Sequence, residues 1–304
     1  MKTYYQPLLG LTAATLLIGC GQREAPADRL SGQPGDTAGS EVRSVGTVKA
    51  PDGVAIRYEV AGRGDPTLVF VHGWSCDRSY WRPQIDDFTK SHRVVAVDLG
   101  GHGESGLDRK NWTMAAFAGD VRAVVEELNL QKVVLVGHSM GGPVILEAAR
   151  LMPDRVVALI PVDFFSEVDR RIPAEQRKAF LGPMRADFSK TTRAFVRQAM
   201  FTPRSDSALA ERIARDMAAA SPAVAVSAME NLLQYDQGAA LAAAKPPLRL
   251  INSDLWATDL EALRRRNPNI SLAVVPGVGH FLMMEDPDEF NRILARAIRD
   301  LVRP

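Results

Sequence analysis

The chain has 304 residues, 46% hydrophobic and 24% charged, an ordinary globular usage that excludes a largely disordered, collagenous or coiled-coil polypeptide. Its 37 basic and 36 acidic residues leave a formal net charge of +1, so no field of one sign is available to hold a polyanion, and nucleic acid is not an expected partner. The cysteines, Cys20 and Cys76, cannot make a disulfide scaffold or a structural zinc site.

The chain opens with Lys2 and an apolar run from Leu8 to Ile18, then Gly19-Cys20-Gly21. A positive start, a short apolar stretch and a small-residue cleavage site predict a secretory signal over 1–19. The run is about half of the roughly 20 residues that a spanning helix needs. Leu17-Ile18-Gly19-Cys20 resembles the lipobox of bacterial lipoproteins. The resemblance implies cleavage before Cys20 and lipidation of its thiol, where two or more acyl chains would anchor the protein stably in a membrane. By the same resemblance, Gly rather than Asp at position 21 implies the periplasmic face of the outer membrane, so the expected location is the cell envelope. Residues 20–43 are rich in Gly, Ser, Pro, Ala and charges. They cannot bury enough apolar area to offset chain entropy and read as a flexible tether.

Strand rhythm begins at Val45. Val45–Lys49 and Val54–Val60 flank the turn Pro51-Asp52-Gly53, and Leu68–Val71, Arg93–Val97, Val133–Val136 and Val156–Val162 are short apolar runs. Met114–Leu128 and Pro143–Leu151 have helical spacing. Unbroken Val/Leu runs alternating with helices predict an α/β fold, a mostly parallel central sheet covered by helices on both faces. Such sheets carry their chemistry at the carboxyl ends of the strands. His72-Gly73-Trp74, Asp98, Gly137-His138-Ser139, Asp163 and Asp254 all fall at those ends. From 164 to 244 the rhythm stops. An Ala-, Met- and Phe-rich block punctuated by Pro173, Pro183, Pro203 and Pro222 predicts three to five helices lying across the sheet as a cap. Leu248–Ile251, Leu272–Val275 and a final helix over Asp288–Val302 complete a core of 44–163 and 245–304.

Gly137-His138-Ser139-Met140-Gly141 is a G-x-S-x-G between a buried strand and an apolar helix. A turn this tight strains the central residue and exposes its side chain, which suits Ser139 as a nucleophile. The helix start adds N–H groups aimed at developing negative charge. Val71-His72-Gly73-Trp74, the loop Asp98–Ser105, Gly137–Gly142, Met152–Val156 and Gly277–Phe281 stand in the order of the α/β-hydrolase superfamily, and the stretch from Val45 onward resembles its serine-nucleophile branch. Members that use Asp as nucleophile, the epoxide hydrolases and haloalkane dehalogenases, are disfavoured by Ser139.

A serine hydroxyl needs a neighbouring base. Of the five histidines, His280 alone fits the chain order Ser…Asp…His of this fold. His72, His92, His102 and His138 read as structural. For the carboxylate that orients the imidazole, the resemblance favours Asp254, after the strand Leu248–Ile251. Asp163 is the second choice and Asp259 the third, because geometry and not sequence position defines a triad. Met140 N–H, and by resemblance Trp74 N–H, would form the oxyanion hole. Cys76 reads as a packed residue.

The expected activity is a serine esterase acting through an acyl-enzyme. Its substrate would be a small to medium, largely apolar carboxylic ester, thioester or lactone, and it would need no cofactor or metal. Carbon–carbon bond hydrolysis or perhydrolysis on the same triad is a rival within enzymes. A lipid-anchored binding or receptor protein without catalysis is a rival outside them.

Overall fold

Apolar runs with no polar interruption build the centre of the molecule. The computed structural model describes residues 43–164 and 167–302. The expected signal segment, the lipidated Cys20 and the tether up to residue 42 lie outside the described residues. In chain order the first half comprises β1 (Ser44–Lys49), β2 (Ala55–Ala61), β3 (Thr67–Val71), α1 (Arg82–Phe88), β4 (Val94–Val97), α2 (Met114–Glu127), β5 (Val133–His138), α3 (Gly141–Leu151) and β6 (Val156–Val162). Five helices follow: α4 (Ala174–Ala186), α5 (Phe188–Ala199), α6 (Ser207–Ala218), α7 (Pro222–Gln234) and α8 (Gln237–Ala243). The chain then returns to β7 (Arg249–Ser253), α9 (Leu260–Arg266), β8 (Ser271–Val275), α10 (Leu282–Glu285) and α11 (Pro287–Leu301).

The strands form one eight-stranded sheet in the order β1-β2-β4-β3-β5-β6-β7-β8. β2 runs antiparallel to both β1 and β4, and all other pairs are parallel. β3, β4 and β5 are buried at every residue, as expected of parallel strands covered on both faces. The edge strand β1 keeps its outward residues in solvent. Phe70, Trp81, Phe117, Phe281 and Phe290 are among the largest fully buried side chains of the core around this sheet.

Local chemistry sets the helix ends. Thr113 accepts from Ala116 N–H at the start of α2, and Asp286 accepts from Glu289 N–H at the start of α11, which has Pro287 as its first residue. Pro222 likewise opens α7. Pro183, expected to separate helices, lies inside α4, and its carbonyl accepts the amide of Asp187 at 2.9 Å just where the helix stops. Among the described residues no helix is long and apolar enough to cross a membrane.

Candidate active site

Because the central strands run parallel, their carboxyl ends deliver loops to one edge of the sheet. β3 delivers Gly73 and Trp74, β5 delivers Ser139, β6 delivers Asp163, and the loop after β8 delivers His280. These five residues line one cavity of about 270 Å³. Its walls include Met200, Met217, Met229 and Leu233 from the helical insertion. They give an apolar site, adaptable in shape through its thioethers.

The turn at Ser139 is as tight as the sequence predicts. Ser139 has φ +52°, a region that costs a non-glycine residue about 1–3 kcal/mol and persists only where its surroundings hold it. Its N–H donates to Val162 O and its carbonyl accepts from Gly142 N–H, both at 2.8 Å. The flanking glycines are there for close approach. A Cβ at 137 would stand 2.3 Å from Gly141 O, and one at 141 would stand 2.6 Å from Val71 O. Strand, turn and helix therefore pass with backbone against backbone. The amides of Trp74 and Met140 donate no hydrogen bond among the described residues.

His280 lines the same cavity and is 5% exposed. Its Nδ1 meets Asp163 Oδ2 at 2.6 Å. The other oxygen, Asp163 Oδ1, accepts from Ser253 N–H at 2.7 Å and Ser253 Oγ–H at 2.9 Å. This corrects the expectation for the acid. Asp254, the first choice, does not reach the imidazole, and its Oδ1 accepts the Gly277 amide at 2.8 Å. The sheet order explains the difference. Asp163 follows the last residue of β6, the strand directly beside β5 and its serine, and is buried at φ +49°. Asp254 follows the last residue of β7 and is exposed. Asp259, the third choice, caps α9 by accepting Ala262 N–H at 2.9 Å.

Further contacts fix the imidazole. His280 N–H donates to Met200 O, at the end of α5, at 2.8 Å. His138 Nε2 meets His280 O at 2.8 Å, and the two rings lie 4.6 Å apart. Since the carbonyl can only accept, His138 carries its proton on Nε2. Burial, helped by the neighbouring His280, pushes the His138 pKa well below that of an ordinary histidine. Trp256 lies 5.2 Å from the His280 ring, centroid to centroid. Sequence reasoning did not single out Ser253, Trp256 or the His138–His280 contact. A serine, a tryptophan two residues past Asp254 and a carbonyl acceptor carry no pattern that marks them.

The other histidines brace the loops. His72 Nε2 accepts Leu99 N–H at 3.0 Å, tying the loop after β3 to the loop after β4. Burial lowers the His72 pKa to about 4 and the His102 pKa to about 3. Cys76 is buried, with its thiol against Trp74 O at 3.3 Å, and burial pushes its pKa up. Asp98 accepts the amides of Arg78 and Glu104 and pairs with the Arg78 guanidinium, so it serves the loop and not the cavity.

A parallel sheet that releases its polar residues at one edge, with a helical insertion placed between β6 and β7 to wall the cavity there, defines the α/β-hydrolase class of fold. The chain belongs to the alpha/beta hydrolase family, whose pattern matches residues 68–293. The dihydrolipoyllysine-residue acetyltransferase component of the acetoin cleaving system of Cupriavidus necator is 38% identical over 140 residues, 45% of this chain and 37% of that protein. Epoxide hydrolase 4 of Homo sapiens is 33% identical over 135 residues, 42% of this chain and 37% of that protein. The match thus spans little more than a third of these curated relatives. A thermophilic esterase from Thermogutta terrifontis, solved with malate bound, shares the fold. Its TM-score is 0.75 at 24% identity, over 86% of this chain and 100% of that one.

Proposed function

We propose that the protein is a serine hydrolase that cleaves a carboxylic ester, thioester or lactone of a small to medium, largely apolar substrate through an acyl-enzyme on Ser139. The observation that carries this reading is the Asp163–His280 hydrogen bond of 2.6 Å in the cavity that Ser139 also lines. Asp163 only accepts, so it holds the proton of His280 on Nδ1 and leaves Nε2 with a free lone pair. That nitrogen takes the Ser139 proton as Oγ bonds to the substrate carbonyl carbon. The carbonyl electrons move to oxygen, where the amides of Trp74 and Met140 receive the charge. Each such donor is worth about 3 kcal/mol. Collapse breaks the bond to the leaving group, which takes the proton from the imidazolium. Water, deprotonated by His280, then attacks the acyl-enzyme, and the acid leaves as Ser139 regains its proton. Asp163 stabilises the imidazolium in both halves.

The test is covalent labelling by a fluorophosphonate, followed by turnover of p-nitrophenyl esters of graded acyl length, thioesters and lactones. The reading expects an adduct on Ser139, lost in Ser139→Ala and strongly reduced in His280→Ala. A folded protein that forms no adduct would leave a binding protein as the better reading. Turnover of ring-fission diketones without ester turnover would favour carbon–carbon hydrolysis.

For the leader, we propose a lipid anchor on Cys20 that holds the domain in the bacterial cell envelope. The sequence around Cys20 supports it. Incorporation of labelled palmitate that persists in Cys20→Ser would overturn it.

A further inference from the structure

Trp74 belongs to two parts of the molecule. Its backbone lies in the loop after β3, and the residue lines the same cavity as Ser139. Its indole Nε1–H donates to Ala225 O at 2.7 Å, in the first turn of α7 within the inserted helices. The same ring meets Phe188, the first residue of α5, edge to face at 6.0 Å and 72°. The residue is 3% exposed, so this hydrogen bond is shielded from water and strong for its kind.

The loop that carries the Trp74 amide is braced on its sheet side by His72, which accepts Leu99 N–H at 3.0 Å and whose Nδ1 meets Gly73 O at 2.8 Å, and its contacts beyond Trp74 are weaker. Cys76 N–H reaches Gly73 O at 3.3 Å, and the Cys76 thiol reaches Trp74 O at 3.3 Å, both long. Ser75 is held at φ +56°, a conformation that persists only when its surroundings impose it. The indole is the contact that joins this loop to the inserted helices, through Ala225 and Phe188.

We propose that the Trp74 side chain is a positioning group: anchored on Ala225, it aims the amide of its own residue and makes the oxyanion site depend on the inserted helices being seated over the strand ends. The inference rests on the acyl-transfer reading above, with Trp74 N–H as an oxyanion donor. A misplacement of order 1 Å at a reacting centre costs up to about 100-fold in rate, and loss of a whole donor costs about 10²–10³-fold. Loosening one of two donors should cost about tenfold to thirtyfold.

Two replacements test it. Trp74→Phe removes the N–H and part of the ring. Site-specific benzothienylalanine at position 74 keeps the bicyclic shape and exchanges only N–H for sulfur, so folding is preserved. Both are assayed for ester turnover and for inhibition by an alkyl trifluoromethyl ketone, whose hemiketal on Ser139 mimics the tetrahedral oxyanion. The expected result is a kcat lowered about tenfold to thirtyfold, with KM within about twofold. Ketone affinity should fall by the same factor as kcat, which a merely space-filling tryptophan would not produce. Wild-type kcat and ketone affinity in the benzothienylalanine protein would overturn the positioning role while leaving the hydrolase reading intact. A wild-type protein that forms no phosphonyl adduct would overturn the hydrolase reading, and this inference with it.

Discussion

Replacing Asp163 by Asn separates the two candidate acids and tests the chemistry at the same time. Asp163 Oδ1 is already committed, since it accepts two hydrogen bonds from Ser253. An Asn at this position keeps its carbonyl oxygen on those donors and turns its NH₂ toward His280. Nδ1 of His280, now 2.6 Å from an acceptor, would face a donor instead and would have to shed its proton. The proton moves to Nε2, where the base must be bare to take up the serine proton. Wrong-tautomer substitutions of this kind lower kcat by about 10⁴, which is about 5.4 kcal/mol at 1.36 kcal/mol per decade. The left-handed backbone at Asp163 tolerates Asn, so the fold should survive, and circular dichroism with a melting curve would check this. Asp254→Asn retains the oxygen that accepts Gly277 N–H, and its kcat should stay within about threefold. The assay is kcat on the best ester of the panel, with active sites counted by phosphonate titration. An Asp163→Asn enzyme that keeps a tenth of wild-type kcat, or an Asp254→Asn loss of similar size to that of Asp163→Asn, would refute the assignment.

Three further outcomes follow from the same contacts. Gly137→Ala puts a methyl group 2.3 Å from Gly141 O, a clash between backbone segments that cannot relax by rotation. Such overpacking costs about 1–3 kcal/mol or more, visible as a lower urea midpoint, and a wild-type midpoint would contradict the close approach. The Arg109 side chain is 4% exposed and binds both Asp120, whose side chain is fully buried, and Asp52. Arg109→Met strands the Asp120 charge and should cost about 3–5 kcal/mol, so a loss below about 1 kcal/mol by denaturant titration would count against that role. Stability should also fall in acid. The pKa values of His72 and His102 are lowered by burial to about 4 and about 3 in the folded state, against about 6.5 in an unfolded chain. Below pH 6.5 the unfolded chain therefore binds more protons, and stability present above 6.5 is lost toward pH 4. These two groups together approach a slope of about 2.7 kcal/mol per pH unit. Urea titrations at pH 7 and 5.5 would show it, and equal midpoints would contradict the burial of neutral imidazoles.

The sequence by itself determined the sheet and the tight turn at Ser139. Uninterrupted runs such as Val133–Val136 leave no side of the strand for water, so they are legible as interior parallel strands without a structure. The Gly137–Gly141 pattern is legible for a similar reason, because a strand-to-helix turn with backbone contact on both sides admits no other spacing of glycines. His280 is proposed as the base through chain order within a resembled family, a weaker kind of evidence than periodicity.

Only the tertiary structure separated the two candidate acids, because Asp163 and Asp254 each follow a strand and both precede His280. What separates them is lateral strand order, which sets β6 beside β5 and puts β7, and Asp254 after it, one strand further away. Hydrogen bonds then complete the distinction, placing Asp163 on the imidazole and Asp254 on a backbone amide. The partners of Trp74 and His138 were hidden for the same reason. Both side chains donate to main-chain carbonyls, of Ala225 and His280, from residues far apart in the chain. Every residue has a carbonyl, so its identity says nothing about being chosen, and only folding brings the donor to it.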